Sequence, residues 1–204
     1  MNVRLNRIYT KSGDKGMTRL SAGVEVSKAS LHVESYGSMD EVNSQLGVVR
    51  SWAMYQHTAT HPEIAQETER TFESIQNVMF DVGRVLARPI DGESDDKDET
   101  AYDSSKDERV LFLEERIDAY REEFAAVDSF TLPGGCMLNA YAHVARTVCR
   151  RWERVLVQRR DEMPLEEWVL VYANRLSDFL YAYSRWVSNR LSDQEILWKP
   201  GVDK

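Results

Sequence analysis

The sequence predicts an all-α protein, a five-helix up-and-down bundle. Three observations predict it. Apolar residues return every three or four positions in five separate stretches; no stretch shows the period-two alternation of a half-buried strand; and prolines stand at the starts of two of the five. Each long helix would run about 30 to 40 Å at 1.5 Å per residue, and no internal repeat divides the chain.

The first helix follows a Gly- and Ser-containing start and carries Met39, Val42, Leu46, Val49 and Ala53. The second begins near Pro62, where a proline suits the first turn, and carries Thr68, Phe72, Ile75, Met79, Val82 and Leu86. The third uses Val110, Leu113, Ile117, Tyr120 and Phe124. In the fourth, Ala142, Ala145, Val148, Cys149, Trp152 and Val155 form an apolar stripe. The fifth starts at Pro164, with Glu166 and Glu167 suited to the positive first turn, and continues through Trp168, Tyr172, Leu176, Phe179, Tyr183 and Val187. Between the second and third, Asp91 to Glu108 holds nine acids and two lysines, and so little apolar surface that its ordering entropy is not offset. That run, about residues 91–107, is expected as a disordered insertion within one domain spanning 1–204.

At 204 residues the chain can bury a full core without a disulfide or metal. Its net charge of -8 argues against a nucleic-acid partner, so any anion site must be local. Cys136 and Cys149, thirteen apart, fit neither a disulfide framework nor a zinc ribbon and point to free thiols in a reducing, cytoplasmic setting. No apolar run approaches membrane-spanning length, and the first motif begins at Thr10, leaving no room for a targeting segment. The pair His57 and His61 lacks a carboxylate at ligand spacing, and no Glu-x-x-His occurs, so no metal is expected on protein side chains.

Chemistry concentrates in four places. On the fourth helix Asn139, His143, Arg146, Arg150 and Glu153 recur at four, three, four and three and share one face, read as a binding surface for an anion. A solvated face of i,i+3 and i,i+4 pairs is the alternative; Arg150, Arg151 and Arg154 favour an anion, because guanidinium forks bind phosphate oxygens bidentately. His143 either touches that anion or hydrogen-bonds within the bundle. Near the start, Thr10-Lys11-Ser12-Gly13-Asp14-Lys15-Gly16-Met17-Thr18 combines glycines, lysines and hydroxyls, as a phosphate cradle or a plain surface turn would. It is not a Walker A loop. Tyr36 to Asn43 forms a third cluster, and Ala173-Asn174-Arg175-Leu176-Ser177-Asp178 a fourth. Phe130 precedes Leu132-Pro-Gly-Gly135, which presents its ring from a turn, either to the core or to a ligand.

In this order, over nearly the whole chain, these motifs resemble the PduO-type ATP:cob(I)alamin adenosyltransferases. The resemblance implies a homotrimer with active sites between subunits. It implies transfer of the 5′-deoxyadenosyl group of ATP to cob(I)alamin, yielding adenosylcobalamin and triphosphate, with Mg²⁺ accompanying ATP. A flexible N-terminal loop, about residues 8–30, would wrap the nucleotide through Thr10 to Thr18, with Lys28 a further contact. Arg150, Arg151, Glu153, Arg154 and Asn174 would complete the ATP site, Arg150 being catalytic. Asp40 would pair with Arg146 across a subunit boundary, while Arg175 and Asp178 serve within the bundle. Phe130 would line the lower face of the corrin and exclude cobalt's lower axial ligand, easing reduction of a four-coordinate cobalt(II). A cobalamin reductase and an adenosylcobalamin-dependent enzyme are implied partners. The reading from another class is a non-catalytic ATP-binding bundle that senses nucleotide or delivers cobalamin. Arg19-Leu-Ser-Ala-Gly23 departs from the glycine-rich stretch many members carry after the first motif.

Overall fold

A computed structural model of the chain describes residues 9, 11–21, 23–89 and 102–201. Five helices carry it: α1 (Leu31–His57), α2 (Pro62–Leu86), α3 (Glu108–Arg121), α4 (Met137–Glu162) and α5 (Glu167–Arg190). Ahead of them, β1 (Met17–Arg19) and β2 (Glu25–Ser27) pair antiparallel, with Thr18 opposite Val26. Three-residue strands are too short for alternation to register, so the hairpin corrects the expectation of no strand.

Local chemistry marks several of the helix starts. The Ser30 hydroxyl accepts from Val33 N ahead of α1, and the Asp107 carboxylate accepts from Arg109 N ahead of α3. Pro62 occupies the first turn of α2, where its missing N–H costs nothing. Glu166 caps α5 by position, its carboxylate taken by Arg88 and by the Trp168 indole N–H. The helix begins at Glu167 rather than at Pro164, with Glu166 in an extended conformation. Similarly α3 stops at Arg121 and the chain turns, so that Phe124 lies beyond the helix beneath the Arg185 guanidinium, 4.4 Å from its ring centre.

Contacts between helices give their directions. The Trp152 indole N–H donates to Ser35 O at 3.1 Å and Trp52 meets Tyr141 at the other end, so α1 and α4 are antiparallel. Cys149 donates to Ala173 O and Asn139 to Ser184 O, making α4 and α5 antiparallel as well. Arg109 lies over Trp168, Arg175 bonds Glu114, and Tyr120 stacks on Trp186, so α3 runs parallel to α5. The bundle is up-down-up-down-up. Its lower end holds the starts of α1, α3 and α5; its upper end holds the start of α4 and the end of α5.

Phe72, Tyr120, Phe179, Tyr183 and Trp186 form an aromatic centre between α2, α3 and α5. Phe72, Phe179 and Tyr183 are fully buried, each worth on the order of 2 to 3 kcal/mol by area. The Tyr183 hydroxyl, which burial makes far harder to ionise, meets Thr68 Oγ1 at 2.7 Å. Along α4 the apolar stripe continues through Leu156, with Val155 only half-buried. Arg159, 4% exposed, donates to Ser35 Oγ and to the α2 terminal carbonyl of Leu86, at 2.6 and 3.0 Å.

Most of the acidic run lies outside the described residues, but its last six, 102–107, are built into the fold. The Tyr102 hydroxyl donates to Asp107 at 3.0 Å, and Arg109 closes on the same carboxylate at 2.7 Å. A tyrosine and a capping aspartate offset the ordering that composition alone argued against. Among the described residues no helix is long and apolar enough to cross a membrane.

Candidate functional site

The N-terminal loop closes on Lys28. Its ammonium donates to Gly13 O at 2.9 Å, Gly16 N donates to the same carbonyl at 3.2 Å, and Lys28 N donates to Gly16 O at 2.8 Å. A Cβ on Gly13 would stand 2.8 Å from the Lys28 ammonium, so glycine permits this closure. Lys11, Asp14 and Lys15 project into solvent, whereas Met17 and Thr18 pass into β1. Thr10 lies outside the described residues. Ser21 ties the hairpin to the bundle, its N and Oγ both donating to Ala87 O. The loop is therefore moored at the lower end.

The stripe on α4 divides in two. Asn139 and His143, each 3% exposed, belong to a buried polar seam with α5 and not to an anion-binding surface. Asn139 Nδ2 donates to Ser184 O at 3.0 Å and Ser188 Oγ at 2.9 Å, and its Oδ1 accepts from Gly134 N at 3.1 Å. Serines on the facing side of α5 make this burial possible, since each polar group there finds a partner. His143 Nδ1 accepts from Arg146 Nε at 3.3 Å, which puts the ring proton on Nε2 toward Ser184 Oγ. Burial, then the Arg146 charge, lowers the His143 pKa to about 4. The ring is neutral and holds Arg146 within the bundle.

Past Arg146 the stripe opens to solvent. Arg150 is exposed, and among the described residues its guanidinium has no carboxylate partner. Arg151 pairs with Glu41 of α1, Arg154 donates to Arg150 O, and Glu153 accepts from Asn174 Nδ2 at 2.9 Å. Arg150, Glu153, Arg154 and Asn174 thus form one patch across α4 and α5, with the exposed Arg150 guanidinium among them. Arg175 turns to Glu114 and Asp178, at 2.8 and 3.5 Å. Asp40 is exposed on α1, and the guanidinium of Arg146 bonds His143 within the same chain.

Phe130 is not a core aromatic: it is 73% exposed. It stands at the mouth of an upper-end cavity of about 980 Å³ walled by Ile117 of α3, Tyr181 and Ala182 of α5, and Trp198. Gly134 and Gly135, with φ of 139° and 90°, turn the chain from Phe130 into α4, a path closed to most L side chains. The segment after α5 returns along this turn. Leu132 N donates to Ile196 O and Trp198 N to Phe130 O, both at 2.7 Å, and the Phe130 and Trp198 rings lie 6.3 Å apart. Trp198 and Tyr181 escaped sequence reasoning. The available signal was Ile196-Leu-Trp198, an apolar triplet beyond the last helix with no periodicity of its own.

His57 is buried at the upper end beside His61, the ring centres 5.6 Å apart, and burial followed by His61 lowers its pKa. Among the described residues no three His, Cys, Asp or Glu side chains gather where a metal could be held. The chain therefore carries three pieces: a basic loop moored below, an arginine patch at mid-height, and an aromatic-walled cavity above.

A family model described as cobalamin adenosyltransferase matches residues 8–187. The chain is 40% identical over 184 residues to a corrinoid adenosyltransferase of Bacillus subtilis, covering 90% of this chain and 88% of the relative. It is 39% identical over 206 residues to a corrinoid adenosyltransferase of Mycobacterium bovis, covering 100% and 98%. Among solved structures it is similar to a variant PduO-type ATP:corrinoid adenosyltransferase of Lactobacillus reuteri complexed with cobalamin and ATP. That likeness has a TM-score of 0.82 at 35% identity, covering 95% of this chain and 97% of the other.

Proposed function

The chain belongs to the cobalamin adenosyltransferase family, and from that premise we propose how its own residues carry the reaction. It transfers the 5′-deoxyadenosyl group of ATP to cob(I)alamin, forming adenosylcobalamin and triphosphate. Cobalt(I) supplies the electron pair that forms the cobalt–carbon bond as the C5′–oxygen bond breaks, so no protein base is required. The protein's work is to align C5′ with cobalt, to stabilise the departing triphosphate, and to keep water from cobalt's lower face.

Arg150 suits the second task. Its guanidinium is exposed and has no carboxylate partner among the described residues, and a charge-assisted fork to phosphate strengthens as the leaving group gains charge. Arg154 stands one turn away and Asn174 opposite, its amide able to donate and accept; Arg151 and Glu153 border the patch. Lys11, Lys15 and Lys28, with the amides around Gly13 and Gly16, suit the rest of the triphosphate. The ATP-borne Mg²⁺ would be held by phosphate oxygens and water, as a cation reluctant to dehydrate prefers.

Arg150 lies near the middle of α4, on the order of 20 Å from either end, while the loop is moored at the lower end of its own protomer. A neighbouring protomer can bring its loop alongside Arg150. This supports a homotrimer with intersubunit sites, in which exposed Asp40 of one copy reaches Arg146 of the next. Two free thiols, half-buried Cys136 and buried Cys149, support a cytoplasmic setting.

The observation that carries the reading is Phe130, an aromatic left largely in water at the mouth of a cavity, which a corrin face would cover. Mixing the protein with ATP and chemically reduced cob(I)alamin tests it: the cob(I)alamin absorbance should disappear as triphosphate accumulates. ATP binding without loss of that absorbance would favour a nucleotide sensor and overturn the assignment.

A further inference from the structure

The position of Phe130 needs an explanation, because its ring buries too little to hold itself in place. What holds it is backbone. Phe130 to Leu132 pairs with Ile196 to Trp198 in a short antiparallel ladder, Thr131 facing Leu197. A ladder of this length is marginal by itself in water. Something must anchor it.

Arg185 does so from α5. It is 5% exposed, yet it makes a fork with Glu195: Nε donates to Oε1 at 2.9 Å and to Oε2 at 3.2 Å, and Nη2 donates to Oε2 at 2.8 Å. The same Nη2 donates to Ala125 O at 3.1 Å, and the guanidinium covers the Phe124 ring. One side chain thus joins both arms of the ladder: the turn that leads to Phe130, and the residue immediately before Ile196. Buried ion pairs contribute little net stability against apolar replacements, but a bidentate fork fixes distance and orientation closely.

We propose that Arg185 and Glu195 are positioning residues that set the height of Phe130 over the corrin's lower face, acting through the ladder of residues 130–132 and 196–198. This rests on the functional reading above. Arg185 also borders the cavity that Phe130 overlooks, whereas Glu195 does not line it, so the Glu195 variants isolate the indirect effect. The clamp lies on the cobalamin side of the molecule, at the opposite end from the nucleotide loop, so its loss should be felt by one substrate and not the other.

The test is Glu195→Ala and Glu195→Gln in the full chain, beside Arg185→Lys. Readouts are KM for each substrate, the thermal midpoint, and the yield of four-coordinate cob(II)alamin with ATP bound, followed by EPR. Glu195→Ala should cut that yield at least fivefold and raise KM for cobalamin, with KM for ATP within twofold of wild type. Glu195→Gln should fall between, since its amide oxygen still accepts one guanidinium N–H. Arg185→Lys should resemble the alanine variant, a point charge being unable to hold both Glu195 and Ala125 O. If Glu195→Ala does not fold, Glu195→Gln and Arg185→Lys decide. An undiminished four-coordinate signal in a folded variant overturns the clamp. So does a parallel rise in both KM values with a lower midpoint, which is what a merely structural pair would give. Failure of the wild-type chain to consume cob(I)alamin would instead overturn the functional reading, and the clamp with it.

Discussion

Replacing Phe130 with alanine separates the packing role of this residue from its role toward cobalamin. A phenylalanine in a core costs about 3 to 5 kcal/mol when truncated. Phe130 is 73% exposed, so only about a quarter of a ring burying some 200 Å² is covered, roughly 50 Å², worth about 1 kcal/mol. For a chain of this size that lowers the thermal midpoint by about 2 to 4 °C. Function should respond far more. With the ring gone, water or a lower axial ligand can reach cobalt, the four-coordinate cob(II)alamin signal should collapse, and turnover starting from cob(II)alamin should fall at least about tenfold, some 1.4 kcal/mol in the barrier. ATP affinity should stay within about twofold. A thermal melt, EPR with ATP bound, and ATP calorimetry on one preparation measure all three. A midpoint lowered by about 10 °C or more would show that Phe130 supports the core, and an intact four-coordinate signal would refute its assignment to the corrin face.

Three further outcomes are expected. Arg150→Ala should cost about ten- to a hundredfold in ATP affinity or turnover while leaving the melt unchanged, with lysine rescuing only in part; normal ATP kinetics would remove this residue from the site. Asp40→Asn should weaken assembly by about 1 to 3 kcal/mol and lower activity, visible as dissociation on dilution in sedimentation; an equally persistent trimer with an unchanged rate would sink the pairing with Arg146. Stability should also decline in mild acid. His143 falls from 6.5 to about 4 in the folded chain, and His32 and His57 are lowered too, each mainly by burial. Above about pH 6.5 these rings are neutral folded or unfolded; below it the unfolded chain takes up protons the folded chain refuses. Stability then drops by up to about 1.4 kcal/mol per pH unit per histidine, down to about pH 4 for His143. Urea midpoints at pH 7.5 and 5 check this, and His143→Gln should flatten the slope; a slope unaltered by it would mean that His143 is not a buried neutral ring.

The five helices were legible because their cause is local. Apolar residues every three or four positions along such a stretch are buried together on a helix, and Pro62 marks a start through its own backbone chemistry. The stretches around Gly13 and Arg150 stood out as candidates by residue type alone, though those residues left a plain turn and a solvated helix face open until the order of the motifs was considered. The rest depended on what came to face it. Asn139 and His143 share spacing and polarity with Arg150, and nothing in the stripe divides them; Ser184 and Ser188, more than forty residues on, accept the first two into the interior. Tyr102 and Asp107 read as part of a solvated acidic run until Arg109 and the first turn of α3 gave them partners. The Arg185 and Glu195 clamp joins a helix to a tail without periodicity, and its worth arises only when that tail returns beside Phe130. Amphipathic pattern states which surfaces must leave water. Whether a polar residue leaves with them is decided by the hydrogen-bond partners that the fold carries to it.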